Sequence, residues 1–147
     1  MVMVDIDSNA IMVDDIKNCT DAELTRAYRA MMLRLNQVGI IPQKHILDNE
    51  VFNAMKTVIR DEYKMKLELV PPCCNGRNAA EVAILNFKAH FLSVFAGKAT
   101  SFPPTLWYRL LPQAKLTVNL LRQSNAGPNV SAYAHLSGPF ETSRYMV

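Results

Sequence analysis

Two acidic residues stand at positions where α/β proteins often place catalytic groups. Asp48 directly follows the strand-like run Lys44–Leu47, and Glu81 lies in the first turn of an apolar segment with helical spacing. Ligands of open α/β sheets bind at the carboxyl ends of the strands. The 32 residues between the two acids contain a predicted helix, strand and loop, which is enough chain to return to the same sheet edge. We therefore expect both carboxylates at one site.

Paired carboxylates are suited to magnesium, which prefers hard oxygen ligands. Two such ions about 3.5–4 Å apart activate an attacking oxygen and stabilise a leaving oxygen in phosphoryl transfer. Simpler interpretations stay open for each acid. Asp48 with Asn49 fits a strand end followed by a helix cap. Glu81 with Asn78 fits an Asn-x-x-Glu capping box, where the helix dipole favours an acid.

Basic residues accompany Glu81 on the same predicted helix. Lys88 follows it by seven positions, two helical turns, so the two side chains share one face. Lys88 and Arg77, which directly precedes the helix, are suited to contacting DNA phosphates, and the alternative for both is a solvated surface cation. Trp107 is expected to pack against the preceding helix, with base stacking as the less favoured role.

Hydrophobic periodicity predicts the element order β-β-α-β-α-β-α-α. The capping box Thr20-x-x-Glu23 opens the first helix and Gly39 closes it. The predicted strands are residues 2–6, 10–13, 44–47 and 65–70. The later helices are one with Phe52, Met55 and Ile59 on its apolar stripe, one over residues 78–96 and one over residues 105–123, followed by an irregular tail from residue 125. The predicted inward stripe of the helix over residues 78–96 comprises Ala80, Ile84, Phe87, Phe91 and Val94, and that of the helix over residues 105–123 comprises Leu106, Leu110, Ala114, Thr117 and Leu121.

This alternation of strands and helices indicates an α/β layer fold with a partly parallel sheet. The 147 residues suit one domain, and a hydrophobic share of 50% excludes disorder as the main description. No apolar run approaches the roughly 20 residues of a membrane span, and the N-terminal residues do not read as a secretory leader. Three cysteines at no framework spacing indicate a reducing compartment.

Charge is distributed unevenly along the chain. Residues 1–70 contain 9 basic and 11 acidic residues, whereas residues 71–147 contain 7 basic and 2 acidic residues. A polyanion such as DNA along the second half is compatible with this asymmetry. A set of ordinary solvated cations is the alternative.

Four segments, in order, resemble the catalytic core of retroelement integrases, especially those of copia-type LTR retrotransposon polyproteins. They are MVDIDS at residues 3–8, ILDNE at 46–50, VPPCCNGRNAAE at 70–81 and SAYAHLSGP at 131–139. The second segment is similar to the one that holds the family's second catalytic Asp, and the third to the one that holds its catalytic Glu. The resemblance runs from Met1 to about Pro139.

The resemblance implies an RNase H-like three-layer fold with a mixed sheet and a catalytic triad of two Asp and one Glu. It assigns Asp48 and Glu81 to catalysis and to binding Mg²⁺ or Mn²⁺ in the full-length enzyme, and Lys88 and Arg77 to nucleic-acid binding. DNA is the implied partner, with a homo-oligomer in the full-length form and no membrane partner. The implied location is the nucleus or the cytoplasm.

Two departures from the family pattern matter. The interval from Asp48 to Glu81 is slightly shorter than usual. The family's first catalytic Asp precedes the segment at residues 3–8, and neither Asp5 nor Asp7 matches it. We therefore expect a fragment that lacks the family's first, central strand and is inactive alone. It would comprise a partial core over residues 1–124 and a tail over residues 125–147.

A non-catalytic interaction module derived from a retroelement is the second hypothesis. In this interpretation the apolar faces of residues 80–95 and 106–121 serve a dimer, and the chain is not an enzyme.

Overall fold

The computed structural model describes residues 1–47, 53–70 and 79–140 and has a mixed α/β architecture. The described residues form two small sheets and five α-helices. The strands are β1 (Val2–Asp5), β2 (Ala10–Val13), β3 (Lys44–Leu47) and β4 (Lys66–Leu69). The helices are α1 (Asp21–Gln37), α2 (Asn53–Thr57), α3 (Ala79–Ala96), α4 (Leu111–Leu121) and α5 (Ala132–Ser137).

The chain divides into two compact units. The first consists of Met1 and residues 14–82, and the second consists of residues 2–13 and 83–147. The first unit contains α1, α2 and the β3–β4 pair, while the second contains the β1–β2 hairpin, α4, α5 and most of α3.

Helix α1 forms the buried spine of the first unit. Its apolar positions recur at helical spacing, and Tyr28, Met31, Met32 and Leu35 are at most 2% exposed. Gly39 ends the helix with a φ of +78°. The Gly39 N–H donates to Asn36 O at 3.1 Å and the Ile40 N–H donates to Leu35 O at 2.9 Å. This pair of bonds is the Schellman arrangement that the predicted glycine stop implies.

The start of α1 agrees with the predicted boundary but not with the predicted bonds. Thr20 is the N-cap residue, yet its side chain makes no capping hydrogen bond. Its hydroxyl instead donates to Asn18 Oδ1 at 2.6 Å, and Glu23 accepts from the Lys17 N–H at 3.2 Å. The capping-box prediction is therefore wrong in detail, because Asn18 and Lys17 compete for the same two side chains.

Strands β3 and β4 form a parallel pair, in which Lys44 aligns with Lys66 and Leu47 with Leu69. The connection between them includes α2 and a π-helical turn, Val58–Glu62, which places Met55 and Ile59 in the interior. A parallel pair requires a crossover of this kind. The predicted partly parallel pairing is confirmed at this point.

The second unit has its core between the hairpin and two helices. Strands β1 and β2 are antiparallel, with Val4 opposite Ile11. The buried cluster comprises Ile11, Val13, Ala83, Phe87, Ala114 and Val118. The hairpin prediction is confirmed to within one residue. Phe87 is buried as the predicted stripe of α3 requires, and Phe91 and Val94 pack against the cluster partly exposed.

The predicted helix over residues 105–123 is wrong as a single element. Residues Pro104–Leu110 form a 3₁₀ segment, and α4 begins only at Leu111, with Pro112 in its first turn. Proline fits a helix start because it lacks the N–H that an interior position needs. The face also differs, since Leu121 is 81% exposed whereas Val118 and Asn119 are buried.

The tail is not wholly irregular. Ser131 caps the short helix α5, its side chain accepting a hydrogen bond from the Ala134 N–H at 3.1 Å, and Ala132 is fully buried. Asn125 and Ala126 donate backbone hydrogen bonds to Asp7 O, both at 3.1 Å. Residues near 125 are therefore tied to the hairpin turn.

One helix in the described part of the chain, α3, is long and apolar enough to cross a membrane by length and composition. Two of its 18 residues are buried. Ala83 and Phe87 of α3 lie in the buried cluster of the second unit.

Candidate functional site

Of the four predicted site residues, two are described. Glu81 lies partly exposed in the first turn of α3, and Lys88 is exposed on the same helix. Asp48 and Arg77 lie outside the described residues, as do Asn49, Phe52 and Asn78. The convergence of Asp48 with Glu81 therefore stays a prediction.

The helix face that holds Glu81 and Lys88 is not purely polar. Leu85 and Leu92 follow these two residues by four positions each, so they lie one turn further along the same side of α3. Their side chains are 67% and 64% exposed. A face that combines one acid and one base with two exposed leucines suits a contact either with nucleic acid or with another protein.

The described residues do not by themselves provide a magnesium site. No group of three potential metal ligands lies together within residues 1–47, 53–70 and 79–140. Glu81 is the one described member of the predicted pair, and a single carboxylate does not fix the coordination of Mg²⁺. The fit of the metal to this chain depends on Asp48 and stays a prediction.

Asp5 has a structural role in the hairpin turn. Its Oδ2 accepts hydrogen bonds from the Ser8 N–H at 2.9 Å and from the Ser8 hydroxyl at 2.5 Å. Ser8 itself is fully buried. Asp5 therefore stabilises the turn that joins β1 and β2.

The outer edge of β2 is covered at Ile11, whereas the outer edge of β1 is open. The buried Asn119 side chain accepts from the Ile11 N–H and donates to Ile11 O, both at 2.8 Å, so these groups of β2 point away from β1. In an antiparallel ladder, when one residue directs its backbone groups away from the partner strand, the residue opposite it does the same. Val4 lies opposite Ile11 and Val2 lies opposite Val13, so the N–H and C=O groups of Val4 and Val2 point away from β2. No described residue bonds to that outer edge of β1.

The parallel pair has a comparable edge. The Lys66 N–H donates to Gln43 O at 2.9 Å and the Val70 N–H donates to Leu47 O at 2.8 Å, so alternate residues of β3 face β4. Lys44 and Ile46 then direct their backbone groups away from β4. Within the described ranges these groups have no backbone partner. By the same register Leu67 and Leu69 of β4 direct theirs away from β3, so both edges of this pair are open among the described residues.

The second unit includes a long stretch without acidic residues. Between Glu81 and Glu141 the sequence has no acidic residue, and it has five basic residues: Lys88, Lys98, Arg109, Lys115 and Arg122. Arg122 is engaged internally, because its Nε donates to Asn9 O at 2.8 Å and its Nη2 donates to Asn9 Oδ1. Partial burial lowers the pKa of Arg122. The exposed cations are therefore concentrated on α3 and the 3₁₀ segment.

All three histidines make internal contacts. His45 lies within 3.4 Å of the Tyr28 hydroxyl, and burial lowers the pKa of His45 to about 4. His90 Nε2 lies 2.5 Å from Thr117 Oγ1, and His135 Nδ1 lies 2.8 Å from Ser124 Oγ. The Ser124–His135 pair is the constellation that sequence reasoning missed. Ser124 is only 4% exposed, so this pair anchors the tail.

The first unit contains a cleft of about 330 Å³ next to the C-terminal end of α1. Met32, Ile41, Tyr63 and Met65 contribute to its lining, together with Glu62. Glu62 is already paired with Arg29 at 2.7 Å. The cleft therefore offers an apolar wall without a free charge to orient a ligand.

Comparison with protein-family models and with curated proteins returns no match for this chain. The resemblance to integrases stays a prediction that rests on the four sequence segments.

Proposed function

We propose that this chain is part of a retroelement integrase catalytic core that binds DNA. Asp48 and Glu81 are its proposed catalytic, metal-binding carboxylates. Lys88 and Arg77 are proposed to contact phosphates. In the full-length enzyme Mg²⁺ or Mn²⁺ would supply Lewis-acid chemistry for phosphodiester cleavage and joining.

The pattern of strand pairing is the observation that supports this proposal most. An antiparallel hairpin comes first, a parallel pair follows, and each has an open edge. The resemblance implies a central strand between such a hairpin and such a pair. A core without that strand would leave these two edges unpaired. Because neither Asp5 nor Asp7 matches the family's first catalytic Asp, we propose that the chain alone is inactive.

The charge distribution supports the DNA partner. Lys88 is exposed on the same helix as Glu81, in the part of the chain that has no acid for nearly sixty residues. Backbone phosphates would be neutralised by cations in this region with release of counterions, so binding would not depend on DNA sequence.

Binding of a fluorescent DNA duplex at two salt concentrations tests the proposal. We expect weak affinity that falls steeply with salt, and a larger loss for Lys88→Glu than for Lys17→Glu. Lys17 is a matched control because it is exposed in the acidic half of the chain. Equal effects of the two variants, or affinity that does not change with salt, would contradict a DNA surface along α3.

A dimerisation module is the second candidate function, and the exposed leucines of α3 favour it. Val82, Leu85 and Leu92 follow a spacing of three and seven residues and are 53–67% exposed. Such a stripe is typical of a helix that packs on another helix. Replacing Leu85 and Leu92 together by Glu would then abolish self-association in sedimentation experiments, whereas Leu33→Glu, on exposed Leu33 of α1, would leave it unchanged.

A further inference from the structure

Four aromatic rings form a row at the surface of the second unit. Phe91 and Phe95 of α3 stack with ring centroids 6.3 Å apart, and Trp107 meets Phe91 edge-on at 6.1 Å. Tyr108 continues the row from Trp107 at 6.4 Å. We call Phe91, Phe95, Trp107 and Tyr108 the aromatic row.

The outer end of the aromatic row is accessible. Trp107 is 45% exposed and Tyr108 is 44% exposed, although both belong to residue types that proteins usually bury for the most part. Phe87 connects the other end to the buried cluster through its stacked contact with Phe91 at 6.2 Å. The row is therefore anchored in the core and open at Trp107 and Tyr108.

Cations border the aromatic row. Lys98 Nζ lies 4.9 Å from the centre of the Phe95 ring, in a cation–π contact. Arg109 directly follows Tyr108 and is exposed, and Lys88 precedes Phe95 by two helical turns. Because no acid occurs between Glu81 and Glu141, no carboxylate of these segments offsets the positive charge.

We propose that the aromatic row is a stacking platform for unpaired bases of a single-stranded nucleic acid, with Lys98 and Arg109 contacting its phosphates. Exposed aromatic rings beside a positive surface are the two components that single-strand binding requires. A membrane or a second protein would also accept exposed aromatic rings, and the experiments below distinguish both from a nucleic acid. The inference rests on the proposed nucleic-acid function and specifies where, and in which form, the strand is recognised.

Trp107 provides a direct probe because it is the only tryptophan in the chain. Titration of the full chain with a 20-nucleotide oligothymidine should quench the Trp107 fluorescence at the same concentrations at which the anisotropy of a labelled oligonucleotide rises. A duplex of equal length should be bound with little quenching, because its bases are already stacked on each other.

Variants separate stacking from charge. Trp107→Ala should weaken single-strand binding roughly five- to 150-fold, the range that corresponds to loss of one stacked base, while duplex binding changes less than twofold. Trp107→Phe should recover part of the affinity and controls for a folding defect. Leu121→Ala, at an apolar residue outside the row that is more exposed than Trp107, should leave both affinities unchanged.

The outcomes of these experiments distinguish the stacking platform from the proposed DNA-binding function on which it rests. Duplex binding that depends on salt, with no quenching by single strands and no selective effect of Trp107→Ala, would overturn the platform and leave the proposed DNA function intact. Absence of binding to either nucleic acid at low salt would overturn both. Quenching by lipid vesicles or by self-association, and not by the oligonucleotide, would also overturn the platform.

Discussion

Asn119 is only 5% exposed, although asparagine is a residue type that usually lies at the protein surface. Its amide takes the place of a neighbouring strand for Ile11, and it also donates to Lys115 O at 3.0 Å. One side chain thus covers the outer edge of β2 at Ile11, where the strand would otherwise offer its backbone groups to another strand.

Replacing Asn119 by Ala should destabilise the protein by about 2–4 kcal/mol, because the buried N–H and C=O of Ile11 both lose their partner. Urea unfolding measures the effect. Asn125→Ala is the matched control, since Asn125 is exposed and donates one bond to Ile6 O. Its loss should cost less than about 1 kcal/mol. Equal effects of the two substitutions would contradict the role of Asn119.

His45 should make stability depend on pH. Its pKa is about 4 in the folded protein because of burial, compared with an ordinary value of 6.5. Between these two values the unfolded chain binds a proton that the folded chain does not. The free energy of unfolding should therefore fall as the pH is lowered from about 6.5 to about 4.

The variant His45→Gln isolates this contribution from those of the carboxylates. Urea unfolding at several pH values should show a shallower loss of stability for the variant than for the wild type across that window. Identical pH profiles would contradict a neutral, buried His45.

Residue roles of this kind could not be obtained from the sequence. Leu121 was expected in the core and is exposed, whereas Asn119 and Ser124 are buried. Hydrophobic periodicity predicts the buried side of a helix from its apolar residues. It does not show that a polar residue is buried because it finds a hydrogen-bond partner in the core. Glu81 and Lys88 were placed correctly on one helix because seven positions are two complete turns.

At the scale of elements, Gly39 ends α1 in a conformation that other residues adopt with strain. A Cβ at Gly39 would meet no atom within 4 Å, so a substitution there is destabilising only through the backbone strain of a φ of +78°. Gly39→Ala should lower the stability by about 1 kcal/mol. Gly97→Ala, where a Cβ makes only ordinary contacts at 3.6 Å, should change it much less. Thermal unfolding compares the two, and equal melting temperatures would contradict the Schellman stop.

The open strand edges should be visible in amide hydrogen exchange. The amides of Val4 and Ile46 point outward and should exchange fast, while those of Met3 and Leu47 bond within their sheets and should exchange slowly. Ile11 also points outward but should be protected, because Asn119 accepts its N–H. Uniform protection along β1 and β3 would show that another strand already covers their edges.

Local signals predicted the elements well. Strand β3 was predicted at its observed bounds, and α1 was predicted from its stripe and its glycine. The predictions failed where a distant contact decides the structure, as in the break before Leu111 and in the helix Ala132–Ser137. Pro112 was visible in the sequence as a helix start, although the apolar spacing across it favoured one continuous helix.

At the scale of the whole molecule, the alternation of strands and helices predicted a mixed α/β protein with a parallel pair. It did not predict that the described strands divide into two separate sheets, because strand pairing over long separations is not encoded in local periodicity.

The distance between the carboxylates of Asp48 and Glu81 tests the central proposal most directly. A crystal structure of the chain grown with millimolar Mn²⁺ would provide it, with Asp48→Asn as a control for metal occupancy. We predict that the two carboxylates lie within about 10 Å of each other, close enough to share metal ions. Carboxylates on opposite faces of a sheet, or separated by much more than this distance, would contradict an integrase catalytic site in this chain.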